Sequence, residues 1–135
     1  MYIKYDSLGK LTGWFDIAEY DVELQLNPGE TSLFVDLTPP IMLGHYFILN
    51  GTLHLKETQL TSINKGTIIA NGIDELIIQN APIGATINIT NITTGIVISG
   101  IADGADSFVT DDTGSYTIEV IQWPYLDFKG TFDAT

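Results

Sequence analysis

An all-β fold is predicted for this chain: a meander of hairpins followed by a β-sandwich. Three observations predict it. Isoleucine and threonine dominate the 135 residues, and both are β-branched, stiff at χ1 and suited to a pleated surface. Turn signals recur roughly every 8 to 12 residues, the rhythm of sandwiches and barrels. No segment of useful length has helical periodicity. The nearest, Asp16–Leu26, instead alternates at Tyr20, Val22, Leu24 and Leu26, which is strand period.

The first hairpin is expected to join Tyr2–Asp6 to Leu11–Phe15 through Ser7, Leu8, Gly9 and Lys10. The second joins Tyr20–Leu26 to Ser32–Leu37. Its turn, Asn27-Pro28-Gly29-Glu30, puts proline where φ is preset and glycine where φ turns positive, the type II pattern. Pro39-Pro40 then breaks any strand. The third hairpin turns at Asn50-Gly51, a type I′ signature. Its two-residue loop sets Leu49 opposite Thr52, Ile48 opposite Leu53, Phe47 opposite His54, Tyr46 opposite Leu55 and His45 opposite Lys56. One face, Tyr46, Ile48, Leu53 and Leu55, is fit for a core. The other carries His45, Phe47, His54 and Lys56.

The composition turns polar over Thr61–Lys65, which places a boundary between a hairpin module, residues 1–62, and a sandwich, residues 63–135. Seven short runs follow: Gly66–Ala70, Asp74–Gln79, Ala85–Asn91, Ile96–Ile101, Ser107–Thr110, Ser115–Gln122 and Leu126–Asp133. Alternation points Leu76, Ile78, Ile87, Ile89, Tyr116, Ile118, Val120, Leu126, Phe128 and Phe132 inward. Asp112-Thr113-Gly114-Ser115-Tyr116-Thr117-Ile118 matches the Asp-x-Gly-x-Tyr-x-Cys stretch of immunoglobulin domains, with isoleucine at the cysteine position. There the tyrosine hydroxyl bonds back to the backbone while its ring packs inside. Seven strands in about 70 residues together with this corner predict an immunoglobulin-like sandwich.

Composition narrows the function. A hydrophobic content of 44% with 16% charged residues argues for a folded chain. The net charge is −12, and the five basic residues are all lysine. Such a surface repels phosphate and anionic lipid, so neither nucleic acid nor membrane is an expected partner. The N-terminus lacks the basic start and apolar run of a signal peptide. The absence of cysteine removes disulfides, thiolate metal sites and cysteine nucleophiles.

Candidate chemistry is sparse, and no cofactor is expected. His45 and His54 lie diagonally on one hairpin face, but the next position, Lys56, repels a cation, and zinc needs further ligands. Asp103, Asp106, Asp111 and Asp112 cluster, yet Ala105 stands where a calcium loop would place its second ligand. Turn formation explains those aspartates. No serine lies in a nucleophile elbow, and no carboxylate pair marks itself as catalytic. The chain is expected not to be an enzyme. Phe47 is a large apolar group on an otherwise polar face, which makes His45, Phe47 and His54 the candidate docking face. Trp123 and Tyr125 bracket Pro124. They either cap the sandwich end or present aromatic rings to a sugar or a partner chain.

Two stretches carry a family resemblance. Tyr2-Ile3-Lys4-Tyr5-Asp6, followed by Gly9-Lys10-Leu11-Thr12-Gly13-Trp14, resembles the opening hairpin of small proteins encoded among tailed-bacteriophage tail genes, and the Leu49-Asn50-Gly51-Thr52 hairpin is similar to one in the same proteins. Phe108 to Ala134, with Gly114-Ser115-Tyr116 and Trp123-Pro124-Tyr125, resembles their terminal immunoglobulin-like part. The resemblance implies a virion structural protein, tail-associated or a capsid-surface decoration, made in the host cytoplasm. Its expected partners are other virion proteins in a homo- or hetero-oligomeric assembly, with edge strands pairing to neighbouring chains. It supplies no catalytic residues. The alternatives are a carbohydrate-binding module, with a glycan on Trp123 and Tyr125, and a tail-fibre assembly chaperone.

Overall fold

The computed structural model describes residues 1–16, 19–37 and 42–135. The Pro39-Pro40 break lies outside them. The protein is all-β, with several antiparallel sheets, and divides into two compact units, Met1–Lys56 and Glu57–Thr135.

In the first unit, β1 (Tyr2–Tyr5), β2 (Leu11–Phe15) and β3 (Thr31–Phe34) form a sheet of order β2-β1-β3. The expected first hairpin is present, with Tyr2 opposite Phe15 and a register irregularity at Lys4/Tyr5. The second hairpin is not. Residues Glu19–Gln25 wind into a 3-10 helix, and β3 pairs with β1. In a strand, Asp21 and Glu23 would share one face, and acidic residues are poor strand formers. A helix with about three residues per turn sets them on different sides of its axis. Val22 is buried and Leu24 is exposed, so the alternating apolar series does not share one side. The Asn27–Glu30 turn does form: Glu30 N–H donates to Asn27 O at 3.0 Å, and Gly29 takes φ +83°.

The third hairpin, β4 (Tyr46–Leu49) and β5 (Thr52–Leu55), has the expected register at all four strand pairs. Asn50 and Gly51 both have positive φ, as a type I′ turn requires. Lys56 N–H donates to His45 O at 2.7 Å, although His45 ends a short 3-10 turn, Leu43–His45. Ile48 is buried with Ile3, Leu11 and Val35, and Tyr46 and Leu53 pack against that cluster. Leu55 does not. It is 64% exposed, because it sits at the open end of a four-residue strand, past the cluster it was expected to join. Gly9 ties this hairpin to the first. Its carbonyl accepts the Ile48 N–H at 2.8 Å, its φ is +81°, and a Cβ there would be driven into the Ile48 carbonyl oxygen.

The second unit contains all seven expected strands, with ends displaced by at most two residues, and one more. These are β6 (Ser62–Ile63), β7 (Thr67–Ile68), β8 (Leu76–Gln79), β9 (Thr86–Asn91), β10 (Val97–Ile101), β11 (Asp106–Phe108), β12 (Gly114–Ile121) and β13 (Phe128–Ala134). They form sheets of order β10-β9-β12-β13-β7 and β11-β8-β6. β7 runs parallel to β13, and the other pairs are antiparallel. Both sheets contribute to one core, which holds Leu76, Ile78, Ile87, Ile89, Tyr116, Ile118, Val120 and Phe132. Phe128 packs against it from a partly buried position, and Leu126 is also only partly buried.

The segment read as a polar boundary belongs to this unit. Gln59 is buried, and its side-chain amide donates to Val120 O at 2.8 Å and Leu126 O at 2.9 Å. Its own oxygen accepts from Thr61 Oγ1 at 2.8 Å. Polar residues that satisfy buried carbonyls look like a linker in sequence. Tyr116 forms the expected corner: its hydroxyl donates to Asp112 O at 2.9 Å and lies 3.1 Å from Thr110 Oγ1. The ring stacks on Phe132, with centroids 5.1 Å apart.

Trp14 and Trp123 fall one in each unit, so tryptophan fluorescence in single-tryptophan variants reports each unit separately. Gly9→Ala should destabilise the first unit by about 3 kcal/mol, through combined positive-φ strain and a backbone clash. Tyr116→Phe should cost the second unit about 1 kcal/mol. Urea unfolding midpoints check both.

Candidate functional site

Two surfaces carry exposed apolar groups. On the first unit, the register of β1 brings Phe15, Tyr2 and Phe34 side by side across three strands. Tyr2 stacks on Phe15 at 6.0 Å between centroids and meets Phe34 edge-on at 5.3 Å. Phe34 is 61% exposed. Cross-strand aromatic pairs of this kind stabilise a sheet face, and here they also present it to solvent. Lys4, two residues along the same face, lies opposite Gly13, whose missing side chain leaves space for the lysine stem.

The Lys4 ammonium reaches Glu30 at 3.4 Å. Glu30 is held down to a pKa of about 2 from an ordinary 4.5. The main cause is the Asn27 N–H, which donates to Glu30 Oε2 at 2.7 Å. The Thr12 and Asn27 side chains and the Lys4 charge add to it. In the second unit, Asp74 is likewise lowered, first by its 2.6 Å bond to Lys65 and then by the Ile69 N–H.

The second surface is β10. Every residue of this strand is exposed, and β10 ends its sheet. Ile98 lies opposite Ile89 and Gly100 opposite Ile87, so these two positions share the core-facing side. Val97, Ser99 and Ile101 face outward, where Ser99 Oγ donates to Asn88 Oδ1 at 2.7 Å. The turn before β10 is held by Asn91, whose Oδ1 accepts the N–H groups of Thr93 and Thr94. Beside β10, a cavity of about 260 Å³ opens toward β11, with Ile78, Ile87, Ile89 and Phe108 among its lining residues.

The sequence-predicted residues fall as follows. Phe47 stacks on His54 at 5.2 Å between centroids, and both are half-buried. His45 is also half-buried, in the turn leading into β4. Trp123 and Tyr125 lie in the β12–β13 connection, 39% and 36% exposed, and the Tyr125 N–H closes that turn on Gln122 O at 2.8 Å. Among the described residues, no three His, Asp or Glu side chains gather to hold a metal ion. Asp103 and Asp106 brace their own loop, accepting the N–H groups of Ala105 and Asp103 respectively.

Sequence reading passed over both surfaces. The β10 signal was available: Leu76–Ala102 contains no Asp, Glu, Lys or Arg in a chain with 17 acids and five lysines. The aromatic row had no local signal, because it depends on β3 pairing with β1. No helix among the described residues is long and apolar enough to cross a membrane. No family model, curated protein or solved structure matches this chain.

A depressed carboxylate stabilises the fold above its unfolded pKa, and that contribution is lost as pH falls through the folded value. The Glu30 contribution to the first unit should therefore be complete above about pH 4.5 and disappear toward pH 2. Glu30→Gln should flatten the pH dependence of the Trp14 unfolding midpoint across that window.

Proposed function

We propose that this chain is a non-enzymatic structural protein of a tailed-phage particle, a tail-associated or capsid-surface component that acts through protein–protein assembly. The observation that carries the assembly reading is β10: a fully exposed edge strand without one charged residue. Soluble proteins usually blunt sheet edges with lysine, proline or bulges, and an unguarded edge is suited to strand addition. The Phe15–Tyr2–Phe34 row, half-buried except for the exposed Phe34, offers a second face suited to contact. The phage assignment is supported by the resemblance of the Tyr2–Trp14 and Phe108–Ala134 stretches.

We read the second unit as an immunoglobulin-like sandwich. Its support is the division into β11-β8-β6 and β10-β9-β12-β13-β7, the short early strand β7 parallel to the last, and the tyrosine corner on β12. This architecture hosts many functions, so it argues for a scaffold and not for a chemistry.

Quantitative mass spectrometry of purified particles tests the proposal. A fixed copy number is expected, with hundreds indicating capsid decoration and dozens or fewer a tail part. A protein made in infected cells but missing from particles would be an assembly chaperone instead. Carbohydrate binding is the competing reading, favoured by the exposure of Trp123 and Tyr125 at one turn. It predicts glycan-array binding that Trp123→Ala abolishes, whereas the assembly reading predicts no glycan signal.

A further inference from the structure

We propose that β10 is a homodimer interface, at which two copies pair antiparallel about a two-fold axis at Ser99 and join their five-stranded sheets into one. This deepens the assembly reading by naming the partner, and it rests on that reading only for its setting.

The hydrogen-bonding pattern sets the register. Ala102 N–H donates to Ala85 O at 2.8 Å and Asn91 N–H to Ile96 O at 3.0 Å. In an antiparallel ladder hydrogen-bonded pairs alternate, so Ile96, Ile98, Gly100 and Ala102 turn their backbone groups toward β9. Val97, Ser99 and Ile101 therefore aim theirs at the free edge. A two-fold axis at Ser99 places Ser99 opposite the partner's Ser99 and Val97 opposite the partner's Ile101. All three positions meet in hydrogen-bonded register, as an isologous interface requires. A register slip of one residue, with the axis midway between two residues, would set the outward-aimed groups against backbone already turned toward β9. Of the axes that lie on a residue, only the one at Ser99 pairs all three outward-aimed positions of β10 with each other.

The side chains fit the same axis. On the outer face, Val97 and the partner's Ile101 form two β-branched cross-strand pairs, favourable in sheets. On the core-facing side, Ile98 lies opposite the partner's Gly100. Pairs that do not share hydrogen bonds have the closest Cα approach, and Gly100 has no side chain there and nothing within 4 Å of where its Cβ would lie. Ile98 therefore has room, and at 54% exposure it gains apolar cover.

Charge does not bar a second copy at the contact itself. The net −12 gives a long-range repulsion that salt screens, while Leu76–Ala102 brings no ionised group into the interface. A strongly basic partner strand would instead find no carboxylate on β10 to select it. The tight Asn91-capped turn, with Gly95 at φ +73°, presents the edge pre-ordered, which lowers the entropic cost of pairing.

Sedimentation velocity of the full chain at concentrations on the order of 100 µM should show a dimer. Val97→Lys and Ile101→Glu should each shift it to monomer with unchanged far-UV circular dichroism. Mixing the two variants should restore dimer, because the register sets the new lysine against the new glutamate. The chain has no cysteine, so Ser99→Cys offers a single thiol. A short bismaleimide should cross-link it rapidly, while Ser107→Cys, on the β11 edge, should stay uncoupled. A monomeric wild-type chain, a dimer that survives Val97→Lys, or equal cross-linking of both cysteine variants would overturn the proposal. None of these results bears on copy number in particles, so the assembly reading stands or falls separately.

Discussion

The second unit depends on the two-sided pairing of β12. This strand bonds to β9 on one edge and to β13 on the other, and its alternation turns Tyr116, Ile118 and Val120 into the core. Each such side chain contributes about 2 kcal/mol by leaving water, and a central strand cannot slip without exposing all of them. Tyr116 adds a second constraint. Its ring packs with Phe132 and Phe108, while its hydroxyl reaches Asp112 and Thr110. The loop entering β12 is therefore fastened to the strand itself. At the other end, Gln59 binds Val120 and Leu126 carbonyls. The polar bonds hold the ends of a strand whose middle is apolar.

The same logic sets the first unit on a smaller scale. β1 is its central strand, and Ile3, opposite Trp14 and Leu33, is fully buried in one cluster with Leu11, Val35 and Ile48. The opposite side of β1 carries Tyr2 and Lys4, and pairing on both edges extends that side into the aromatic row. A buried face and an aromatic face are thus two consequences of one alternating strand. In the second unit, the sheet that β12 centres must end somewhere, and it ends at β10. Function, on the reading proposed above, lies at what the folding units leave unpaired.

Residues whose partners lie close in sequence were legible in advance. Asn50-Gly51 dictated both the turn and the register of β4 and β5, because a two-residue loop leaves no freedom. The strands of the second unit and the Tyr116 corner were readable for a similar reason: alternation and turn chemistry agree there. The Tyr20–Leu26 strand failed because an alternating apolar pattern was set against an acidic one, and only the competition of β3 for β1 decided it. Thr61 looked like part of a boundary because polarity in sequence does not reveal the buried Gln59 that its hydroxyl bonds.

The sequence by itself determined the all-β class, the hairpin register at Asn50-Gly51, the inward positions of the long strands and the tyrosine corner. All of these follow from steric and periodic rules that act over a few residues. Tertiary structure alone decided which strands became edges. β10 is nearly as β-branched as β9, yet β9 is paired on both sides and β10 on one. Edge or centre is a property of how many neighbours a strand finds, and those neighbours are chosen by chain segments far apart in sequence competing for the same backbone groups.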